Sequence, residues 1–413
     1  MSRRRRDAAS AGAAGELRQI ACWAAGLDAL HARIAPRFRR VEVRARARRY
    51  LEGLLGGVER KNGWQLAEQS GERHPRGVQR LLDEARWDAD AVRDDLRTYV
   101  VAHLGDPAAV VVVDETGFLK KGTKSVGVQR QYSGTAGRRE NCQVAVFLCY
   151  AGARGRAFLD RALYLPRGWA DDPARRGTAG VPPTERFATK PQLAKAMLQR
   201  AFAANVPVAW VAGDTVYGAD GRFRQWLEAV RRAYVLAVPC THRVWRRDGQ
   251  SLAAKRVVGD LPAGDWQRLA AGEGSQGPRW YDWAAVPLSA LGGAGTPGTP
   301  GTPGTPAGAA AMAHWLLARR SVSDPTEVAY YRAYGPATTP LTELVRVAGS
   351  RWAVEVGFEQ AKGEVGLDQY EVRTWDAWHR HITLALLAHA YLEVTRATGD
   401  SEKGAVAPRA STA

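Results

Sequence analysis

The run AVVVVD, Ala109 to Asp114, is an unbroken apolar stretch closed by an acid. A short apolar run rich in β-branched residues reads as a strand buried on both faces. VPVAWVAGD, Val206 to Asp214, repeats the pattern, so two aspartates each end a buried strand. QVAVFLCYA (Gln143–Ala151) and RAFLDRALYL (Arg156–Leu165) supply two more strands between them, and Tyr234 to Val238 supplies a fifth. Helical patterns fill Lys190–Ala204 and Arg222–Arg232.

Three strands, a helix, a strand, a helix and a strand is the order of a ribonuclease-H-like domain. The expected fold class is therefore α/β, a mixed sheet flanked by helices. Its next helix is delayed. Between Cys240 and about Pro340 lie strand-like runs at Arg279–Leu288, His314–Val322 and Glu327–Tyr334, interrupted by four Gly-Thr-Pro units, Gly295 to Pro306. Such repeats hold neither helix nor central strand and read as an exposed loop in a β-rich insertion.

The delayed helix, Leu341 to Gly366, carries Arg351, Glu355 and Lys362 as R-x3-E-x6-K. At about 100° per residue these fall within roughly 40° of one another, while Glu359 lies about 80° from Arg351. Val354, Phe358, Ala361 and Val365 form the neighbouring stripe, the face such a helix presses into a core. Glu355 is thereby favoured over Glu359 as a third carboxylate beside Asp114 and Asp214. Three converging carboxylates suit a pair of hard divalent cations, Mg²⁺ first, and a two-metal phosphoryl-transfer chemistry. Arg351 and Lys362 would grip flanking phosphates. Glu115 should point to the opposite side of its strand and is read as structural.

The chain of 413 residues carries a formal charge of +17, which favours a polyanionic partner. Only nine of its 59 basic residues are Lys, so part of that charge reflects an Arg-rich proteome. Four scattered cysteines, Cys22, Cys142, Cys149 and Cys240, make no zinc spacing and read as free thiols. No run resembles a membrane span or a signal peptide, so a cytoplasmic location with no membrane partner is expected.

Residues 1–30, opening on four arginines, read as a basic disordered tail, and 31–105 as a helical DNA-binding domain. Trp64–Gln69, a turn at Ser70–Pro75 and a helix at Arg76–Ala85 outline a helix-turn-helix that exposes Arg76, Gln79 and Arg80. The catalytic core is expected at 106–240 and 340–397, split by the insertion at 241–339, with a loose tail at 398–413. Lys120, Lys121 and Lys124 read as DNA-backbone contacts beside the site, or equally as a solvated hairpin. Trp245, Trp280, Trp283 and Trp315 could include one that stacks on a flipped base, although core packing suits most of them. Trp378 reads as core, and His379 and His381 as surface or packing residues.

VVVDETGFLKKG around Asp114, SVGVQRQYSGTAGRRENCQV, GDTVYG around Asp214 and RWAVEVGFEQAKGEVGLDQYEVRTWDAWHRH together resemble the DDE transposases of bacterial insertion sequences, the insertion sequence 701 family in particular. The resemblance covers roughly residues 35 to 395. It implies a ribonuclease-H-like fold with a β-strand insertion before the glutamate helix, and cut-and-paste transposition. That activity comprises binding of terminal inverted repeats, nicking and strand transfer into target DNA with Mg²⁺, for which Mn²⁺ can substitute, by a homodimer in the synaptic complex. Related transposases carry a Y-R-E-K signature that Arg351, Glu355 and Lys362 match; Ala348 stands in the tyrosine's place, so that phosphate contact is not carried over. Two other functions fit the same residues, a non-catalytic DNA-binding repressor and a metal-dependent nuclease without strand transfer.

Overall fold

The computed structural model describes residues 19–274, 277–289 and 310–406, with backbone alone over 400–406. Helix α1 (19–34) lies partly inside the stretch expected as a disordered tail, because Leu27, Leu30 and Ile34 give it an apolar stripe at helical spacing to bury. α2 (Val41–Leu55) buries Ala47, Tyr50, Leu51 and Leu54 by the same spacing. Asn62 caps α3 (Gly63–Gln69), its Oδ1 accepting the N–H groups of Trp64 and Gln65 at 3.0 Å. α4 (Arg76–Asp83) and α5 (Ala89–Leu104) complete the helical unit.

The sheet follows: β1 (Val110–Leu119), β2 (Gln129–Ser133), β3 (Arg138–Gly152) and β4 (Gly155–Tyr164). Two short helices, α6 (Arg167–Ala170) and α7 (Pro173–Thr178), lead to α8 (Lys190–Ala203), which opens on a reciprocal Thr189–Gln192 capping box. β5 (Trp210–Gly213), α9 (Thr215–Gly218), α10 (Gly221–Ala229) and β6 (Ala233–Val238) come next. β1 pairs antiparallel with β3 but parallel with β5, and β5 parallel with β6. Antiparallel strands first and parallel strands after them make the ribonuclease-H-like sheet that the order of elements predicts.

The insertion holds β7 (Arg243–Trp245), β8 (Ser251–Ala253), α11 (Ala254–Gly259), β9 (Gln267–Gly274), β10 (Gly277–Leu288), β11 (Met312–Ser321) and β12 (Val328–Pro336). β12 pairs with β6, Arg332 opposite Leu236, so β9 to β12 extend the central sheet instead of standing apart. Among the described residues the sheet has ten strands. β7, β8 and α11 cover one of its faces with Val244, Val257 and Val258 packed on Leu316 and Ala318. The Gly-Thr-Pro units fall outside the described residues.

α12 (Leu341–Ser350), α13 (Trp352–Val365) and α14 (Trp375–Val406) close the chain. The continuous helix expected over 341–366 is broken at Arg351. Gly349 rests on β9 so closely that a methyl group there would overlap the Ala271 carbonyl, and the chain turns at the next residues. α14 runs on to 406 where a loose tail is expected. It packs against α5, α2 and α4, so helical unit and sheet share one apolar core. Trp378 is fully buried in it; the Tyr50 hydroxyl meets His381 Nδ1 at 2.7 Å, and His379 Nδ1 donates to the Trp375 carbonyl at 2.8 Å.

Candidate active site

Strand register brings the two aspartates together. Parallel pairing of β1 with β5 ends at Val113 opposite Gly213, so the next residues, Asp114 and Asp214, are neighbours. Asp214 ends its strand and caps α9, its Oδ1 accepting the Val216 N–H at 2.8 Å. Asp114 does not end its strand: β1 continues five residues beyond it along β3, and its Oδ1 accepts the Glu115 N–H at 2.7 Å. α9 is held by Gly218, where a methyl group would overlap the Ala237 carbonyl of β6.

α13 crosses this sheet on its apolar stripe. Phe358 stacks on Phe158 with ring centroids 5.0 Å apart and meets Phe147 edge-on at 5.3 Å. That packing turns the neighbouring charged stripe toward the strand ends. Arg351 reaches Asp114 Oδ2 at 3.6 Å through Nη1 and Glu355 Oε1 at 2.6 Å through Nη2. Glu359 is exposed. Burial lowers the Arg351 value, but Glu355, Asp114 and Asp214 more than offset it, so the guanidinium binds its proton above the ordinary range.

The acids carry more negative charge than Arg351 neutralises. Burial, then Asp214, then Glu115 push the Asp114 carboxyl up to about 7 against the opposing pull of the Glu115 amide and Arg351. Asp214 is raised first by burial and next by Glu115. Buried like charges that resist ionisation together are stabilised by a further cation, and oxygen donors suit a hard one. Among the described residues, however, no three His, Cys, Asp or Glu side chains stand gathered to hold an ion. Asp114 and Asp214 are neighbours, whereas Glu355 is drawn to Arg351, so the convergence expected from the sequence is incomplete in this conformation.

The model of the DDE superfamily endonucleases matches residues 33–278, a span that includes both aspartates. The chain belongs to this family. A curated relative, the probable transposase for insertion sequence element IS701 of Microchaete diplosiphon, is 28% identical over 194 residues, 46% of this chain and 48% of the relative. The chain thus matches about half the length of that relative, in keeping with the resemblance in the motifs. The crystal structure of the NurA nuclease from Sulfolobus solfataricus is similar at 9% identity and a TM-score of 0.27, covering 77% of this chain and 93% of that one, a likeness too slight to carry argument.

The basic residues of this member of the DDE superfamily divide by burial. Lys362, two turns below Glu355, donates to Thr116 Oγ1 at 2.8 Å and Thr135 Oγ1 at 3.3 Å, and burial lowers its pKa. Lys121 and Lys124 are exposed. Lys120 is not a free surface cation: it donates to the Tyr370 carbonyl at 3.0 Å, lies 3.5 Å from the centre of that ring, and burial brings its pKa down to about 8. Arg76, Gln79 and Arg80 are exposed at the start of α4, with Arg80 3.2 Å from Glu84. Of the four tryptophans, Trp283 and Trp315 are buried, Trp245 is half-buried and Trp280 is exposed. All four cysteines are free, Cys142 and Cys149 buried, Cys22 and Cys240 exposed. No helix among the described residues is long and apolar enough to cross a membrane.

Sequence reasoning missed one group. Glu115, read as facing away, accepts hydrogen bonds from Lys190 Nζ at 2.5 Å and the Tyr217 hydroxyl at 2.7 Å, and its charge acts on both aspartates. Its position next to Asp114, and that of Tyr217 one turn after Asp214, were the available signals. Nothing in the sequence singles out Lys190.

Proposed function

We propose that the protein is a DNA transposase that binds the terminal inverted repeats of its insertion sequence and catalyses phosphodiester hydrolysis and strand transfer into target DNA. One observation carries this reading: two half-buried aspartates made neighbours by strand register face an Arg–Glu pair presented by the crossing helix. Asp114, Asp214 and Glu355 would hold two Mg²⁺ ions, with Mn²⁺ able to substitute. Bound there, such ions supply a nucleophile from water or a 3′-hydroxyl and stabilise the leaving oxygen.

The chain's own groups do the rest. Once Arg351 is relieved of Glu355, its fork is free to take a phosphate, and Lys362 offers a second cation further along the same helix. Lys121 and Lys124 extend the basic track outside the site. Arg76, Gln79 and Arg80 face a duplex from the first turns of α4, the position of a recognition helix. Synapsis of two element ends calls for a homodimer.

The test uses purified protein and a labelled duplex carrying the element's own end. Cleavage and joining are expected with Mg²⁺ or Mn²⁺ and neither with EDTA. Asp114→Ala, Asp214→Ala and Glu355→Ala should each abolish both while binding the duplex normally. Cleavage that survives any of the three refutes the assignment. Cutting without joining would make the protein a metal nuclease, and binding with neither would make it a repressor.

A further inference from the structure

We propose that Glu115, Lys190 and Tyr217 form a clamp that sets the spacing of Asp114 and Asp214 for cation binding, an inference that rests on the function proposed above. Backbone pairing between β1 and β5 ends at Val113 and Gly213, one residue short of both aspartates. The ladder stops there, so the two aspartate side chains stand at its open end. The next tie between the two strand ends is a side-chain one, from the Tyr217 hydroxyl on α9 to Glu115 Oε2 on β1 at 2.7 Å.

Each end of this tie is held. The Tyr217 ring is fully buried and lies over Gly213, the last residue of β5. Lys190, the first residue of α8, takes the other carboxylate oxygen, Oε1, at 2.5 Å, so three elements meet at one side chain. Both oxygens of Glu115 are thereby engaged, and the residue acts through its neighbours as a positioning group. Its negative charge adds to the field at Asp114 and Asp214, which favours a cation there. Partners that orient ligating carboxylates are worth about ten- to a hundredfold in metal affinity.

Tyr217→Phe removes the hydroxyl and keeps the buried ring; Lys190→Met cuts the other tie at a partly exposed position. Mn²⁺ would be titrated into the full-length protein, following the rise in thermal midpoint and, separately, cleavage of the element end. Both variants should need about tenfold more Mn²⁺ for half the effect in each readout, with duplex affinity in EDTA unchanged. A merely structural role lowers the metal-free midpoint but leaves the half-effect concentration where it was. Variants that titrate like the unsubstituted protein overturn the clamp. Asp114→Asn serves as the control: if it still responds to Mn²⁺ the proposed cation site itself is wrong, whereas loss of its response beside normal titration of Tyr217→Phe removes the clamp alone.

Discussion

Asp114→Asn should stabilise the metal-free protein, by an amount that depends on pH. An unfolded aspartate titrates near 3.8, and burial with Asp214 and Glu115 holds Asp114 at about 7 in the folded state. Between these values the folded chain binds more protons than the unfolded one, so stability falls as pH rises and the full penalty is present above pH 7. About three units at 1.36 kcal/mol each set an upper limit of ~4 kcal/mol. Asparagine keeps an acceptor for the Glu115 N–H and loses only a long ion pair to Arg351 at 3.6 Å, so roughly 2–4 kcal/mol should be recovered at pH 8 and little at pH 4. In a chain of this length ~1 kcal/mol moves the midpoint by about 1 °C. Thermal unfolding in EDTA from pH 4.5 to 8.5 should therefore show the variant gaining a few degrees over the unsubstituted protein, the gap opening as pH rises. A gap that is absent at pH 8, or equal at both ends of the range, refutes the electrostatic account of the site.

Arg351→Gln removes the cation that pulls the Asp114 value down, so the pH profile of cleavage should shift to the alkaline side as activity falls; a profile that keeps its position would separate Arg351 from Asp114. Gly218→Ala forces a methyl group onto the Ala237 carbonyl and should destabilise by about 1–3 kcal/mol while moving α9, which denaturant unfolding and Mn²⁺ titration would register together. Arg76→Ala with Arg80→Ala should weaken duplex binding and reduce the salt slope of log K by about 2, leaving the Mn²⁺-induced rise in midpoint unchanged; an unaltered slope would remove α4 from the DNA surface.

The apolar runs at Ala109–Asp114 and Val206–Gly213 were legible because a strand buried on both faces needs no partner to announce itself. The residues after Asp114 were not. Glu115 to Leu119 stay in β1 because β3 runs alongside them, a pairing with residues 142–146 that local pattern does not contain. The break at Arg351 was hidden because the apolar period continues from α12 into α13; the close approach of Gly349 to Ala271, on a strand far away in sequence, is likewise absent from the local pattern. Glu115 was misread by applying strand alternation where one neighbouring strand stops. With β5 finished at Gly213, a carboxylate on a long, flexible stem can come round the open edge to Tyr217.

The segment between α13 and α14 explains why a helical unit at one end of the chain bears on a site at the other. The Lys61 N–H donates to Gln369 Oε1 at 2.6 Å and Thr374 Oγ1 to Asp83 Oδ1 at 3.2 Å, which ties the segment to the loop before α3 and the end of α4. Tyr370, between these points, donates to Gln143 of β3 at 2.8 Å, receives the Trp378 indole N–H at 3.0 Å and holds Lys120 beyond the end of β1. Burial raises the pKa of the Tyr370 phenol and lowers that of the Lys120 ammonium; an arrangement of buried polar groups this fully partnered resists deformation because breaking any bond strands a polar atom away from water. The exposed face of α4 and the strand carrying Asp114 are thus joined through packed structure instead of a flexible linker. A duplex seated on Arg76, Gln79 and Arg80 would meet the aspartates at a separation set by the fold, which is the condition for cutting at a fixed distance from a recognised sequence.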